Sequence, residues 1–322
     1  MPWGPYRRAM RLALAATVAT SVAALAACTG SDEPDSRPAA TPSGPQAQTT
    51  ELDAGPVGVA DVDGQAWTVL VDEGTLRTSS DEHIPVGDAP LRLVSTPSGV
   101  WVTVIRDGTV VRVNPTTGTV DQTVRMRPAG SEPEGIAWDG RLLWVVDQAH
   151  DRVVPMTLDG KQLAAVDVDE GPRLVSTGTS GVWVTSFAGS ALTRVHGDLG
   201  VTARLTGCVG PQGVAEAAGR VWVACTLSGK VVALDVRTLK QVAEIDDVPD
   251  ADAVVATDDT VYAVGQSGPT VFVIDAASGT LTDTIALDEA HATSENVGAA
   301  VVGDDLVVTH PDEQKIYTLP LP

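Results

Sequence analysis

Residues 212–246 read QGVAEAAGRVWVACTLSGKVVALDVRTLKQVAEID, and they are the clearest copy of a pattern that recurs along the chain. It contains four short runs rich in β-branched residues, and the gaps between them hold Gly, Ser, Thr or Asp. Such runs joined by tight turns are typical of antiparallel β-strands. One four-stranded unit cannot bury its own apolar faces, so this stretch predicts neighbouring units of the same kind.

The aromatic residue in the second run recurs along the chain. We call the recurring positions the tryptophan column, and they are Trp67, Trp101, Trp144, Trp183, Trp222, Tyr262 and Val307. Their spacings are 34, 43, 39, 39, 40 and 45 residues. Four-stranded units at this period predict an all-β fold, a seven-bladed β-propeller over residues 49–322. Since the aromatic residues alternate with Val, we expect them to pack between blades rather than stack on a ligand.

The last predicted blade has only three recognisable strands. A ring that ended there would expose an unpaired strand edge. Residues Thr49–Asp53 precede the first blade at the place where an outer strand ends in the other units. We therefore expect this N-terminal strand to join the last blade and close the ring.

Residues 1–27 predict a signal peptide. Three arginines precede an apolar run of Ala, Leu, Val and Thr that is too short to favour a membrane span. The run ends in the motif LAAC, whose cysteine is Cys28, and this motif resembles the lipobox of bacterial lipoproteins. The resemblance implies cleavage before Cys28 and acylation of that cysteine, with palmitate for example. The alternative is an ordinary signal peptide with an incidental cysteine.

Residues 28–48 predict a disordered tether, because they lack apolar periodicity and are dense in Pro, Ser, Gly and Ala. The predicted organisation is a propeller anchored in the lipid bilayer through Cys28 at the outer, extracytoplasmic face of the cell membrane. The pair Arg7-Arg8 leaves twin-arginine and general secretory export both open.

The chain is strongly acidic, with a formal net charge of −21. Removal of the first 27 residues takes away three arginines and no acidic residue, which leaves −24. Such a surface repels phosphate backbones, so nucleic acid is an unfavourable partner. It favours solubility outside the cell and attracts cations. We expect a monomer.

The units resemble the YVTN-type propeller repeat of bacterial lipoproteins. The pattern V-x-V-I-D-x-x-S-G-x-L lies at Val271–Leu281, and Val261-Tyr262-Ala263 precedes it. The resemblance implies an extracytoplasmic propeller that binds or scaffolds, and it extends more distantly to the streptogramin B lyases and the NHL-type propellers. In those lyases a Glu-x-His pair opens an innermost strand beside a further His and a divalent metal. Here the nearest match is EPEG at 132–135, where Glu134 stands at the His position.

One face of the ring, the top face, is predicted to carry the functional site. It is formed by the loops that lead into each blade and the loops between second and third strands. The residues just before the innermost strands would surround the mouth of the central channel; they are Val57, Arg92, Glu134, Arg173, Gln212, Asp252 and Val297. One interpretation is a solvated rim held by ion pairs. The other is a pocket that binds a small polar ligand or a loop of an envelope protein through Arg92, Glu134, Arg173, Gln212 and Asp252.

Carboxylates and imidazoles on the same face raise a second possibility, a divalent cation as cofactor. The candidate ligands are Glu132, Glu134, His150, His291 and His310. An enzyme built there would use Glu134 and His150 as catalytic residues. The sequence contains no Gly-rich phosphate loop, no G-x-S-x-G motif and no Cys-His nucleophile pattern.

We therefore expect a non-enzymatic binding or scaffolding propeller without a required cofactor. The alternative function is a divalent-metal-dependent lyase or lactone hydrolase, and a third is a purely structural envelope protein. Two cysteines remain in the ring, Cys208 and Cys225. Because exported proteins retain disulfides, a bond between these two cysteines is favoured over two free thiols.

Overall fold

Four-stranded antiparallel sheets follow one another along the chain in the computed structural model, which describes residues 47–289 and 296–321. There are seven such sheets within the described residues, so the predicted seven-bladed propeller is confirmed. The turns follow from local chemistry. In blade 2 the Asn114 side chain accepts hydrogen bonds from the backbone of Thr116 and Thr117, and Gly118 supplies a φ of 64°.

The strands are numbered in chain order. Strand β1 is Gln48–Glu51. Blade 1 consists of β2 (Pro56–Val62), β3 (Gln65–Leu70), β4 (Thr75–Arg77) and β5 (His83–Pro85). Blade 2 consists of β6 (Pro90–Thr96), β7 (Gly99–Val104), β8 (Thr109–Asn114) and β9 (Thr119–Arg125). Blade 3 consists of β10 (Pro133–Trp138), β11 (Leu143–Asp147), β12 (Arg152–Met156) and β13 (Val166–Asp167).

The remaining blades continue in the same order. Blade 4 consists of β14 (Pro172–Gly178), β15 (Gly181–Ser186), β16 (Ala191–His196) and β17 (Leu199–Arg204). Blade 5 consists of β18 (Pro211–Ala217), β19 (Arg220–Cys225), β20 (Lys230–Asp235) and β21 (Gln241–Ile245). Blade 6 consists of β22 (Ala251–Ala256), β23 (Thr260–Gly265), β24 (Thr270–Asp275) and β25 (Thr280–Ala286). Blade 7 begins with β26 (Gly298–Val302), β27 (Asp305–His310) and β28 (Lys315–Pro320). Short 3-10 helices lie at Gln148–His150 and Thr226–Ser228.

The two ends of the described chain meet in blade 7. Strand β1 pairs antiparallel with β28, with Thr49 opposite Tyr317 and Glu51 opposite Lys315. The sheet order is therefore β1-β28-β27-β26. An N-terminal strand thus supplies the outer strand of the last blade, two residues shorter at its C-terminal end than the predicted Thr49–Asp53.

The tryptophan column is buried throughout the ring. Trp101, Trp183 and Trp222 have no exposed surface, and Trp67 and Trp144 are buried nearly as completely. These side chains lie in apolar clusters that join neighbouring blades; one cluster, for example, contains Trp222 of blade 5 and Val261 of blade 6. The column therefore forms the core between blades, as its alternation with Val predicted.

Threonines on several second strands connect one blade to the next at the top of the ring. Thr103 Oγ1 donates a hydrogen bond to the Glu134 carbonyl oxygen at 2.7 Å, and Thr185 Oγ1 donates to the Gln212 carbonyl oxygen at the same distance. The acceptors are backbone groups of residues that the sequence assigned to the channel mouth. These buried hydrogen bonds therefore help to position the start of the innermost strands of blades 3 and 5.

Several predictions lie outside the described residues. They are the signal peptide of residues 1–27, the lipidation site Cys28, all but the last two residues of the tether, and His291. Within residues 47–289 and 296–321, no helix has the length and apolar character that a membrane span requires.

Candidate functional site

The innermost strands share an irregularity where they enter the channel. In six blades the pairing with the second strand shifts register just after the first residue of the strand. An irregularity of this kind re-aims the side chains that follow it. Five of these strands open with proline, at Pro56, Pro90, Pro133, Pro172 and Pro211. The residues that follow the first position are Val57, Leu91, Glu134, Arg173, Gln212 and Asp252.

Arg92 lies one residue deeper in the channel than the sequence analysis placed it. Counted from the register with the second strand, Leu91 occupies the level of Glu134 and Gln212. Arg92 therefore stands at the level where four other blades carry Gly58, Gly135, Gly213 and Gly298. The sequence analysis assigned the nearest polar residue to the channel mouth, whereas the pairing of the strand determines which residue lies at that level.

The glycines at this level let neighbouring innermost strands approach closely. A Cβ on Gly58 would lie 2.5 Å from the Leu91 carbonyl oxygen, and one on Gly135 would lie 2.7 Å from the Arg173 carbonyl oxygen. The cavity inside the ring has a volume of about 180 Å³. Its described lining is backbone, glycine and aliphatic side chains, with Arg92 as the one charged residue. The channel is thus a narrow cavity with a single guanidinium in its wall.

Charged residues of four blades meet above this cavity. We call Arg92, Glu134, Arg173 and Asp252 the mouth cluster. Arg173 Nη1 donates to Glu134 Oε1 at 3.3 Å, a contact between blades 3 and 4. Asp252 of blade 6 is fully buried, and Glu134 is 2% exposed. The predicted site residues Arg92, Glu134, Arg173 and Asp252 are therefore brought together, and Gln212, 4% exposed, lies at the same level of blade 5.

Burial controls the protonation of the mouth cluster. It raises the pKa of Asp252 to about 6, although the guanidiniums of Arg92 and Arg173 oppose the rise. It also raises the pKa of Glu134, against the attraction of Arg173 and Arg92. It lowers the pKa of Arg92, because a charged guanidinium loses its hydration there. The two positive and two negative groups balance one another only when both carboxyl groups are ionised.

Several charged atoms of the mouth cluster have no hydrogen-bond partner within the described part of the chain. They are Arg92 Nη2, Glu134 Oε2 and both carboxylate oxygens of Asp252, although the Gln266 side chain and the Val297 backbone lie close enough to Asp252 to lower its pKa. A buried charged atom without a partner costs about 1–3 kcal/mol or more. The carboxyl groups of Glu134 and Asp252 are thus buried rather than solvated, whereas the ion pair between Arg173 and Glu134 agrees with a rim held by ion pairs. The close approach of the innermost strands draws the carboxylates into the ring, where bulk water does not cover them.

The acidic and His-bearing sector of blade 3 forms a separate group. Asp147 is fully buried and accepts hydrogen bonds from Arg152 Nε at 2.9 Å, from the Glu132 backbone at 3.0 Å and from His150 Nδ1 at 3.1 Å. Burial opposes ionisation of this carboxyl group, but the hydrogen bonds from Arg152 and His150 hold its pKa below the ordinary value. The ionised carboxylate of Asp147 therefore holds the His150 ring through its Nδ1 atom.

The metal candidates are not gathered at one point by the described residues. His310 is fully buried, with Nε2 3.0 Å from the Gln266 carbonyl oxygen and Nδ1 accepting from the Glu313 backbone at 3.3 Å. His150 contacts Asp147, as above, and His291 lies outside the described residues. Across residues 47–289 and 296–321, no group of three His, Cys, Asp or Glu residues is arranged to hold a metal ion.

The structure joins Cys208 and Cys225 in a disulfide with an S–S distance of 2.02 Å. The bond connects the loop that leads into blade 5 with the end of the second strand of that blade. A residue that sequence reasoning missed lies beside it on the top face. Phe187 follows the second strand of blade 4, and the Arg173 guanidinium carbon lies 5.1 Å from the centre of its ring. A Phe in a loop of the top face was the available signal, since the chain has only two.

Comparison by sequence relates the chain to a lyase. No family model matches the chain. The virginiamycin B lyase of Nocardia farcinica (strain IFM 10152) is 28% identical over 198 residues, which cover 58% of this chain and 69% of the relative. The chain is distantly similar to the streptogramin B lyases.

Solved structures agree on the fold. A streptogramin B lyase structure has a TM-score of 0.72 at 17% identity, covering 86% of this chain and 97% of that chain. A catalytically inactive virginiamycin B lyase from Staphylococcus aureus, determined with quinupristin, has a TM-score of 0.73 at 17% identity and covers 86% of this chain and 100% of that chain. At these identities the likeness shows a shared propeller fold, and function must come from the site.

Proposed function

We propose that this protein is a non-enzymatic binding propeller that captures a small polar ligand at the mouth of its central channel. The ligand carries both a positive and a negative group, as a zwitterion does. The unpartnered buried charges of the mouth cluster are the observation that supports this proposal. A ligand with both signs supplies an acceptor for the arginines and a donor for the carboxylates, whereas an ion of one sign satisfies only half of the cluster.

The proposed site sits on a protein that is held outside the cell. In this proposal Cys28 carries the acyl chain, the following residues form the tether, and the propeller presents its top face in the space outside the cytoplasmic membrane. An anchored binding protein needs no catalytic group, only a rigid pocket and a length of flexible chain. Metabolic labelling with a fatty-acid analogue tests the anchor: wild type is labelled, and Cys28→Ser is not. Equal labelling of both proteins contradicts it.

Thermal unfolding of the purified protein tests the binding site. It is measured with probes that carry one charge and with probes that carry both a positive and a negative charge. The probes are acetate, methylammonium and a panel of amino acids. A site filled to about a hundred times its dissociation constant adds roughly 2.7 kcal/mol of stability. At least one amino acid is expected to raise the midpoint by several degrees, with acetate and methylammonium each giving less. No rise with any probe would contradict the proposal.

Variants assign the effect to the mouth cluster. Glu134→Gln and Arg173→Gln each remove one charge and keep a similar size. Both are expected to abolish the rise caused by the amino acid. Lys240→Gln is the matched control, because Lys240 is exposed in a turn between third and fourth strands, at the opposite end of the ring from the mouth. A rise that survives both mouth variants would place the ligand elsewhere.

A second candidate function is a lyase. It is favoured by the sequence relation to the virginiamycin B lyase and by the Asp147–His150 pair. A carboxylate that binds Nδ1 of a histidine fixes the tautomer in which Nε2 can accept a proton. The His150 side chain is 32% exposed, so its Nε2 is open to a substrate on the top face. Glu134 of the mouth cluster would be the second participant.

Consumption of virginiamycin B, followed by chromatography with and without Mg²⁺ and with EDTA, tests this second function. Turnover that requires the metal and is lost in His150→Ala and in Glu134→Ala would support it. Turnover that persists in both variants would refute this choice of residues. Complete absence of turnover, together with amino-acid binding, would leave the binding function alone.

A further inference from the structure

The top face carries an exposed apolar surface directly beside the mouth cluster. We call it the apolar ledge, and it consists of Phe187, Val209 and Leu227. Val209 is 51% exposed and Leu227 is 49% exposed, and Phe187 is half-buried. The other exposed large apolar side chains of the described chain, each at least 36% exposed, lie on or beside outer strands, away from the channel; they are Leu163, Leu199, Val201 and Val242.

The three residues of the ledge are packed into one surface. A Cβ on Gly210 would lie 2.9 Å from Leu227 Cγ and 2.9 Å from Phe187 Cε2, so both side chains press on this glycine. Gly210 also has a φ of 66°, a conformation that other residues rarely adopt. The Leu227 backbone amide donates to the Val209 carbonyl oxygen at 3.1 Å. A larger residue at position 210 would push the ledge apart.

The ledge is held more rigidly than an exposed loop requires. The Cys208–Cys225 disulfide flanks it on both sides, next to Val209 and two residues before Leu227. Ser228 Oγ accepts from the Val209 backbone at 2.7 Å. Exposed apolar side chains add nothing to folding, but a rigid apolar surface reduces the entropy lost when a ligand binds. The arrangement therefore fits a binding surface.

Arg173 makes the ledge continuous with the mouth. Its guanidinium lies over the Phe187 ring at 5.1 Å and contacts Glu134 at 3.3 Å. A single molecule can therefore contact the charged cluster and the ledge together. Three side chains offer far less than the roughly 800 Å² that each partner buries in a stable protein complex. The occupant is thus a small molecule rather than a protein.

From these observations we infer that the ligand is amphipathic, with a charged head at the mouth cluster and a bulky aromatic or branched aliphatic group on the apolar ledge. This inference depends on the proposed binding function and names the class of its ligand. The head is oriented by Arg173 and Glu134, and the apolar group packs on Phe187 and Leu227. Amino acids with large apolar side chains, or molecules that share this pattern, have the required chemistry.

The test compares two probes that share one head. Phenylalanine and glycine are titrated into the full chain by isothermal calorimetry, with the wild type and with the double variant Val209→Ser, Leu227→Ser. Burial of an aromatic side chain strengthens binding by about tenfold or more, so the wild type is expected to prefer phenylalanine by at least that factor. The double variant keeps Phe187 and is therefore expected to show a smaller preference for phenylalanine, below about tenfold, with its affinity for glycine unchanged.

The control is Leu199→Ser, a change of the same kind at a side chain that is 68% exposed on an outer strand. It should leave the preference for phenylalanine intact. Glycine binding without a preference for phenylalanine, or a preference that is undiminished in the double variant, overturns the inference while the mouth remains a binding site. Binding of neither probe overturns the inference and the proposed function together. Wild-type dimers in analytical ultracentrifugation that dissociate in the double variant would assign the ledge to a second copy of the chain and overturn the inference.

Discussion

The burial of Asp252 makes the stability of the protein depend on pH. Its pKa of about 6 in the folded protein stands above its ordinary value of 3.8. The folded state therefore holds a proton that the unfolded chain releases, so this group reduces stability as pH rises from about 4 to about 6. The shift corresponds to about 3 kcal/mol, fully lost above pH 6. Asp252→Asn removes this titration.

The expected result is that the difference in melting midpoint between Asp252→Asn and the wild type changes with pH. The midpoint of Asp252→Asn minus that of the wild type should increase between about pH 4 and pH 6.5 and then stay level. Asp258→Asn, the same chemical change at an exposed turn residue, should show no such increase. A difference that stays constant with pH would contradict the burial of an uncompensated carboxyl group at position 252.

The residues of the mouth could be predicted only in part from the sequence. The period of the tryptophan column located Glu134, Arg173 and Asp252, because it reports the spacing of strands. The same spacing gives Leu91 in blade 2, so Arg92 was placed one residue too shallow because it was the nearest polar residue. The burial of these charges was also not predictable. It results from close contacts between innermost strands that belong to different blades.

Glu216 on the innermost strand of blade 5 connects this blade to blade 4. Its carboxylate accepts from the Trp183 indole at 2.8 Å and from Thr179 Oγ1 at 2.7 Å, and from the Ser180 backbone at 3.2 Å. Burial opposes its ionisation, but the hydrogen bonds of Thr179, Trp183 and Ser180 hold the pKa of Glu216 below the ordinary value. Glu216→Ala leaves a buried indole N–H without an acceptor and should cost about 2–3 kcal/mol in denaturant unfolding. Glu216→Gln, which keeps one acceptor, should cost less, and equal costs would contradict this account.

Ala256 offers the reverse experiment. It holds the position in blade 6 that Glu216 holds in blade 5, opposite the residue before the aromatic of the column. The indole nitrogen of Trp222, equivalent to that of Trp183, is buried without a partner among the described residues. Ala256→Glu should supply the missing acceptor and stabilise the protein by about 1 kcal/mol. In NMR spectra the Trp222 indole proton should move downfield; an unmoved resonance or a lower stability would contradict the equivalence.

Strand lengths were less predictable than strand existence. The sequence placed all blades, yet the outer strand of blade 3 has only two residues, Val166–Asp167. The physical cause is Pro155 in the third strand, which has no N–H to offer an outer neighbour. Strand pairing of that neighbour therefore covers Arg152 and Val153, and beyond the proline it continues only as an isolated bridge between Met156 and Gln162. A proline inside an otherwise regular run is the local signal for such a shortened blade.

At the scale of the whole molecule, the repeat period predicted the ring because each blade contacts mainly its two neighbours. The geometry of the functional site, in contrast, does not follow from contacts between neighbouring blades alone. Its charges come from blades 2, 3, 4 and 6, and their mutual distances depend on the closed ring. Closure of the ring thus determines both stability and the geometry of the mouth, and it depends on a short strand at the N-terminal edge of the propeller.

Strand β1 closes the ring, so its removal tests the whole architecture. Two truncated proteins are compared: one begins at residue 47 and keeps β1, and the other begins at residue 53 and lacks it. Without β1 the edge of β28 is unpaired, and the backbone hydrogen bond from Leu52 to the Gln314 carbonyl oxygen is lost. The shorter protein should melt at least about 5 °C lower in calorimetry and should aggregate through the open edge, while the longer one matches the full chain. Equal melting temperatures of the two truncated proteins would show that the last blade is stable with three strands and that β1 contributes nothing to the stability of the ring.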